Sequence, residues 1–200
     1  MTRTLSREYF ENVYAMDDDP WNFRESKYER EKYEQTLAIL PRASYFQGLE
    51  IGCSIGVQTA MLAERCTRLL AIDVSQLAID RARAHCRHLP NVEFARHAVP
   101  ESFPAGRYDL TVLSEVGYYL SLLDLGLVAD EIAKHTRPLG HLLLVHWIPA
   151  VAEFPLSGDQ VHQYFLNRPE WVSLAGHCHD EYRIDLLEKR PAGDLFRLHD

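Results

Sequence analysis

The spacing of apolar residues divides the chain into short runs of two kinds. Stretches such as Leu110-Thr111-Val112-Leu113 and Leu142-Leu143-Leu144-Val145 are apolar on both faces, which suits parallel strands covered by helices on each side. The pattern predicts strands over residues 46–51, 68–72, 92–95, 108–113 and 141–147. Helices are predicted between them, over 57–65, 75–86 and 122–136. Strand and helix alternating in this way mean an α/β fold, an open, doubly wound sheet.

The two ends read differently. A short helix over 7–16 carries Tyr9, Phe10, Val13 and Tyr14, and Asp17-Asp18-Asp19-Pro20-Trp21 breaks it. Ser26 followed by Glu29 reads as a capping box. The helix it opens presents Tyr33, Leu37 and Leu40 on one face and stops at Pro41. After Trp147, Pro149 and Pro155 mark an excursion, followed by a helix around 160–166. Two further strands, 171–175 and 181–189, are joined by the polar stretch Gly176-His177-Cys178-His179-Asp180, a connection short enough for an antiparallel pair. The expected layout is one domain over 1–200: a helical cap (1–41), a core of five parallel strands plus a C-terminal antiparallel hairpin (42–190), and a tail (191–200).

Composition narrows the function classes. A chain of 200 residues, 46% hydrophobic and 25% charged, buries a core without crosslinks. A net charge of −8 argues against a nucleic-acid backbone as the main partner. No apolar run approaches the ~20 residues of a membrane span, and the first residues lack the apolar segment of a secretory signal. The four cysteines are scattered without a CxxC pair, as in a chain kept reduced. The expectation is therefore a cytoplasmic protein with neither nucleic acid nor membrane as partner. The cluster Arg81, Arg83 and Arg87 reads as the solvated face of a helix. His177-Cys178-His179 falls short of the four closed ligands of a structural zinc site, so no metal is expected.

The chemistry concentrates where the first predicted strand meets its helix. Leu49-Glu50-Ile51-Gly52-Cys53-Ser54-Ile55-Gly56 ends that strand, and Leu70-Ala71-Ile72-Asp73 sets a carboxylate at the tip of the second. In open α/β sheets a ligand binds outside the carboxyl ends of the strands, and an acid about 20 residues after a glycine turn receives the two hydroxyls of a ribose. The dinucleotide fingerprint GxGxxG lacks its middle glycine here, because Cys53, Ser54 and Ile55 fill the space between two glycines. Glu-x-Gly-x-x-x-Gly instead resembles the first motif of class I S-adenosylmethionine-dependent methyltransferases. That resemblance implies a loop of Glu50, Gly52, Cys53, Ser54 and Gly56 around the amino-acid end of the cofactor, with Asp73 and Val74 at its ribose.

A narrower likeness covers nearly the whole chain. The stretch from Tyr108-Asp109 through Ser114-Glu115-Val116-Gly117-Tyr118-Tyr119-Leu120 resembles the fourth-strand motif of the NodS-like methyltransferases. Asp19-Pro20-Trp21 with Tyr28-Glu29 and Lys32-Tyr33 resembles their N-terminal cap, and Gly158-Asp159-Gln160-Val161-His162 and Tyr182-Arg183-Ile184-Asp185-Leu186-Leu187-Glu188 resemble their later segments. The resemblance implies methylation of the amine of an amino sugar or oligosaccharide, with a cap carrying Trp21, Tyr28 and Lys32 folded over the cofactor. One departure stands out. Many class I enzymes hold the adenine with an aspartate where this chain has Ala98, which leaves neighbouring backbone groups or His97 for that contact.

An amine acceptor must arrive uncharged, since an ammonium has no lone pair, and a carboxylate or imidazole can receive its proton. Glu115, Tyr118, Tyr119 and His146 fall at the tips of the fourth and fifth strands, with Ser114 beside the cofactor. Tyr118 and Tyr119 are expected to shape the acceptor site, with Glu115 or His146 as proton acceptor. An O-methyltransferase acting on a small hydroxylated or carboxylated metabolite remains an alternative, as does a non-catalytic cofactor-binding protein.

Overall fold

The structure is a computed structural model and describes residues 3–191. Seven strands form one mixed sheet: β1 (Tyr45–Ile51), β2 (Cys66–Asp73), β3 (Val92–Arg96), β4 (Tyr108–Ser114), β5 (Thr136–Trp147), β6 (Trp171–Cys178) and β7 (Tyr182–Lys189). Their spatial order is β3-β2-β1-β4-β5-β7-β6. The first five run parallel, and β7 pairs antiparallel with both β5 and β6. The order reverses between β1 and β4, so the switch point lies at their carboxyl ends.

Alternation along the central strands feeds two cores. Leu142 and Leu144 face one side, where α5 (Leu122–His135) supplies Leu125, Val128 and Ile132, and α6 (Gly158–Leu166) supplies Val161 and Phe165. Leu143 and Val145 face the other side, with Leu110, Val112, Leu62 and Leu186. Such leucines are fully buried, and truncating one typically costs about 2–5 kcal/mol.

Five helices begin on a serine whose Oγ accepts a backbone N–H three residues on: α1 (Arg7–Met16), α2 (Lys27–Ala38), α4 (Gln76–His85), α5 and α6. The exception is α3 (Val57–Ala63), which starts at Gly56. The box expected at Ser26 is half formed. Ser26 accepts the Glu29 N–H, but the Glu29 carboxylate turns to Lys32, and a full ion outcompetes a backbone amide. The complete box occurs at Ser157 and Gln160.

Several boundaries moved. Strand β5 starts at Thr136 rather than 141, because Pro138 cannot continue α5 and Thr136 turns its hydroxyl back onto the Ile132 carbonyl. Strand β6 runs on to Cys178, and the His179 N–H bonds the Tyr182 carbonyl to close the hairpin. Arg83 and Arg87 are exposed as expected, and only Arg81 is half-buried. Arg81 bridges to Asp18 at 2.6 Å and to the Asp17 carbonyl, while Arg83 donates to the Phe94 carbonyl. Arg81 thereby ties the loop after α1 to α4. The tail from 192 to 200 lies outside the described residues.

Candidate active site

A cavity of about 400 Å³ opens at the carboxyl ends of β1, β2 and β4, roofed by α1, α2 and the aromatic loop between them. The chain turns into it at Gly52 and Gly56, both with left-handed backbone (φ +84° and +86°). A side chain at Gly52 would also collide with Val116, so glycine is required there for conformation and for space. Ser54, between them, adopts φ +48° without being glycine. Its backbone N–H donates to Asp73 Oδ2 at 2.9 Å, and its hydroxyl accepts from Tyr14 at 2.6 Å. The strained turn is thus held from β2 on one side and from α1 on the other.

Asp73 is 8% exposed at the tip of β2, and its other oxygen accepts the Ser75 N–H at 2.9 Å. Burial pushes its carboxyl up to about 6. Glu50 is fully buried on β1, and burial pushes it to about 7. One Glu50 oxygen accepts the Thr59 hydroxyl at 2.6 Å, while Oε1 has no partner among the described residues. Gln58 Nε2 and His97 Nδ1 are likewise buried and unpartnered. All three residues line the cavity. Ala98 also lines it, but its N–H is already donated to Ser102 Oγ.

The opposite wall comes from β4 and the turn after it. Glu115 has φ +55° and a carboxylate with three donors: Lys32 Nζ at 2.8 Å, the Tyr118 hydroxyl at 2.6 Å and the Trp147 N–H at 2.9 Å. Lys32 reaches in from α2 and also pairs with Glu29 at 2.9 Å. Burial works against its charge, but Glu115 and Glu29 outweigh it and hold its pKa above the ordinary lysine range. Tyr118 stacks on Phe154 (4.9 Å, 11°), and Tyr119 meets Phe10 edge-on.

Thirteen of the sixteen predicted residues line this cavity: Trp21, Glu50, Gly52, Cys53, Ser54, Asp73, Val74, His97, Ala98, Ser114, Glu115, Tyr118 and Tyr119. The other three, Tyr28, Gly56 and His146, stand behind the wall. Tyr28 packs edge-on against Trp147 and Tyr182. Gly56 starts α3 tight against Ala82 and Cys86. His146 is fully buried, with its ring nitrogens occupied by the Gly117 N–H and by His162. Trp21 stacks on Phe23 and meets Tyr14 edge-on. Sequence reasoning gave no role to Gln58, and placed Glu29 and Lys32 in the cap without their pairing with each other or with Glu115. The signal available for Lys32 was its place next to Tyr33 and one turn before Thr36, on the face α2 buries.

The chain matches the family described as Nodulation protein S (NodS) over residues 6–133. It belongs to the NodS family. Nodulation protein S of Rhizobium tropici is 32% identical over 128 residues, which is 63% of this chain and 54% of that protein. The chain spans just over half the length of the curated relatives it matches. The crystal structure of the N-methyltransferase NodS from Bradyrhizobium japonicum WM9, in complex with S-adenosyl-L-homocysteine, superposes with a TM-score of 0.84. It is 25% identical, and the match covers 92% of this chain and 99% of that one. A crystal structure from Pseudomonas syringae is 35% identical, with a TM-score of 0.74, over 82% of this chain and all of that one. The fold is that of the class I methyltransferases, with the antiparallel hairpin at its C-terminal edge. No described helix is long and apolar enough to cross a membrane.

Proposed function

We propose that this NodS family member is a cytoplasmic S-adenosylmethionine-dependent methyltransferase acting on the amine of an amino sugar or related oligosaccharide. The observation that carries the reading is the set of unpartnered buried atoms around the cavity. A lone acceptor (Glu50 Oε1) and a lone donor (Gln58 Nε2) suit the ammonium and carboxylate of an amino acid. The Asp73 carboxylate suits a ribose diol, and His97 Nδ1 suits a purine edge. A buried polar group without a partner costs about 1–3 kcal/mol, and this cofactor would relieve several such costs at once. The cavity volume also falls in the small-ligand range.

When bound, the cofactor supplies an electrophilic methyl group on a sulfonium. The chain's own task is orientation, which contributes on the order of 7–11 kcal/mol to such reactions. Gly52 lets the backbone approach the ligand closely, and the Phe10, Tyr14, Trp21 and Phe23 rings exclude water from above. Glu115, Tyr118 and Tyr119 form the wall where an acceptor would lie. On the acceptor wall, among the described lining residues, the two carboxylates Glu29 and Glu115 stand against the single cation Lys32, while Glu50 and Asp73 face the proposed cofactor. That excess of negative charge favours an incoming amine and opposes a carboxylate acceptor.

Calorimetry with S-adenosylhomocysteine and with NAD tests the cofactor; binding of the first alone is expected. Transfer of a labelled methyl group to deacetylated chitotetraose, but not to a small tricarboxylate, tests the acceptor. Tight NAD binding would remove the cofactor assignment, and preferred labelling of the tricarboxylate would remove the amine.

A further inference from the structure

Behind the acceptor wall, a line of buried polar groups crosses three elements. The Gly117 N–H donates to His146 Nε2 at 3.1 Å, His146 Nδ1 lies 3.1 Å from His162 Nε2, and His162 Nδ1 lies 2.6 Å from Asp185 Oδ2. Arg183 donates to the same Asp185 oxygen at 2.7 Å. His146 and His162 are fully buried, and Asp185 is 5% exposed.

The backbone amide at one end dictates every proton along this line. An N–H can only donate, so His146 Nε2 must be the bare nitrogen and its proton must sit on Nδ1. That proton points at His162 Nε2, which must then also be bare, so the His162 proton sits on Nδ1 facing the Asp185 carboxylate. The amide and the carboxylate thus set both rings in the same tautomer; burial and the His146 N–H aimed at His162 Nε2 keep His162 neutral against the pull of the Asp185 carboxylate. Protonating His146 would set a second N–H against that of Gly117. Burial already holds both rings below the ordinary histidine range.

Three glycines make room for the arrangement. A side chain at Gly117 would stand 2.9 Å from His146 Nε2, and one at Gly176 would stand 2.6 Å from Asp185 Oδ1. A side chain at Gly158 would collide with the Trp147 carbonyl and press on His146 Cβ.

We infer that Asp185, His162 and His146 form a positioning relay that anchors the Gly117–Tyr119 turn and, through Tyr118, the Glu115 carboxylate on the acceptor side. None of the three touches the cavity. Their effect runs through the turn, because Tyr118 holds Glu115 at 2.6 Å and Gly117 is the residue before it. The functional consequence rests on the proposed methyl transfer, whereas the tautomers do not.

Two measurements test it. Nitrogen-15 NMR of the unaltered protein should show both rings as neutral Nδ1–H tautomers, the minor form of free histidine. His146→Leu should lower kcat/KM for deacetylated chitotetraose at least tenfold while the Kd for S-adenosylhomocysteine stays within threefold. His146→Gln, whose side-chain carbonyl can still accept from Gly117, should recover most of that loss. Either ring found as Nε2–H, or titrating near pH 6.5 in the folded protein, would overturn the relay. So would a leucine variant that loses thermal stability but keeps its acceptor kinetics. A protein that ignores the sugar yet shows both Nδ1–H tautomers would overturn the acceptor assignment and support the relay.

Discussion

The two halves of the cavity differ in what they leave unfinished. On the side of the proposed cofactor, Glu50, Gln58 and His97 each keep a buried atom without a partner among the described residues, and the carboxyls of Glu50 and Asp73 are both pushed up by burial. On the side of the proposed acceptor, Glu115 is supplied from three directions and His146 from two. The first half keeps open the groups that the proposed cofactor would fill. The second is largely hydrogen-bonded from within, with Tyr28 Oη and Glu29 Oε2 as its exceptions among the described residues, and offers shape and charge. A polar group left open in the interior advertises chemistry, and one already satisfied supplies geometry.

The sharpest way to break this contrast is to unpair the satisfied half. Lys32→Met leaves Glu29 and Glu115 facing each other with no cation between them. Because both carboxylates retain some exposure (12% and 18%), the expected loss is about 2–4 kcal/mol, roughly 5–15 °C in Tm. Calorimetric unfolding checks this, and an unchanged Tm would mean that water already screens the cluster. Next comes Asp73→Asn, which preserves shape but halves the acceptor capacity. The Kd for S-adenosylhomocysteine should weaken tenfold to a hundredfold, about 1.5–3 kcal/mol, with little change in fold by circular dichroism.

Glu50→Gln separates stability from binding. Burial makes the Glu50 carboxyl hold its proton more tightly folded than unfolded, from 4.5 up to about 7. The folded chain therefore carries the extra proton between those values, and stability falls as pH rises through that window. The glutamine variant should match the parent at pH 4 and exceed it at pH 8 by about 1–3 kcal/mol, while binding S-adenosylhomocysteine more weakly. For the parent, affinity should decline as pH drops below 7 and then 6, as Glu50 and Asp73 gain protons in turn. The smallest effect is expected from Tyr14→Phe. Losing the bond to Ser54 costs about 0.5–1.5 kcal/mol, read as a modest weakening of cofactor binding with Tm nearly unchanged.

The same contrast explains what the sequence made legible. Gly52, Gly56 and Asp73 fall within 22 residues, so the open half is visible as a local motif. The five parallel strands are visible because residues buried on both faces read as unbroken apolar runs. The closed half is assembled from afar. Lys32 and Glu115 are 83 residues apart, and within α2 the lysine looks like one more charge in Lys27-Tyr28-Glu29-Arg30-Glu31-Lys32. The expected apolar face of that helix included Leu37, which is half-buried, while Lys32 and Thr36 are fully inside. His146, named as a possible base, shares its two ring nitrogens with groups 29 and 16 residues away. No local pattern announces such a partnership, because a backbone amide leaves no mark in a sequence.

The place of β7 in the sheet carries a consequence for synthesis. It lies between β5 and β6, yet both are made before it. As the chain leaves the ribosome, β5 must therefore wait with a bare row of amides and carbonyls until residue 189 emerges. Such an edge pairs readily with strangers, and at 5–20 residues per second the wait lasts several seconds. The risk of entanglement between nascent copies is concentrated in that interval, and ends when the last strand slides into its slot.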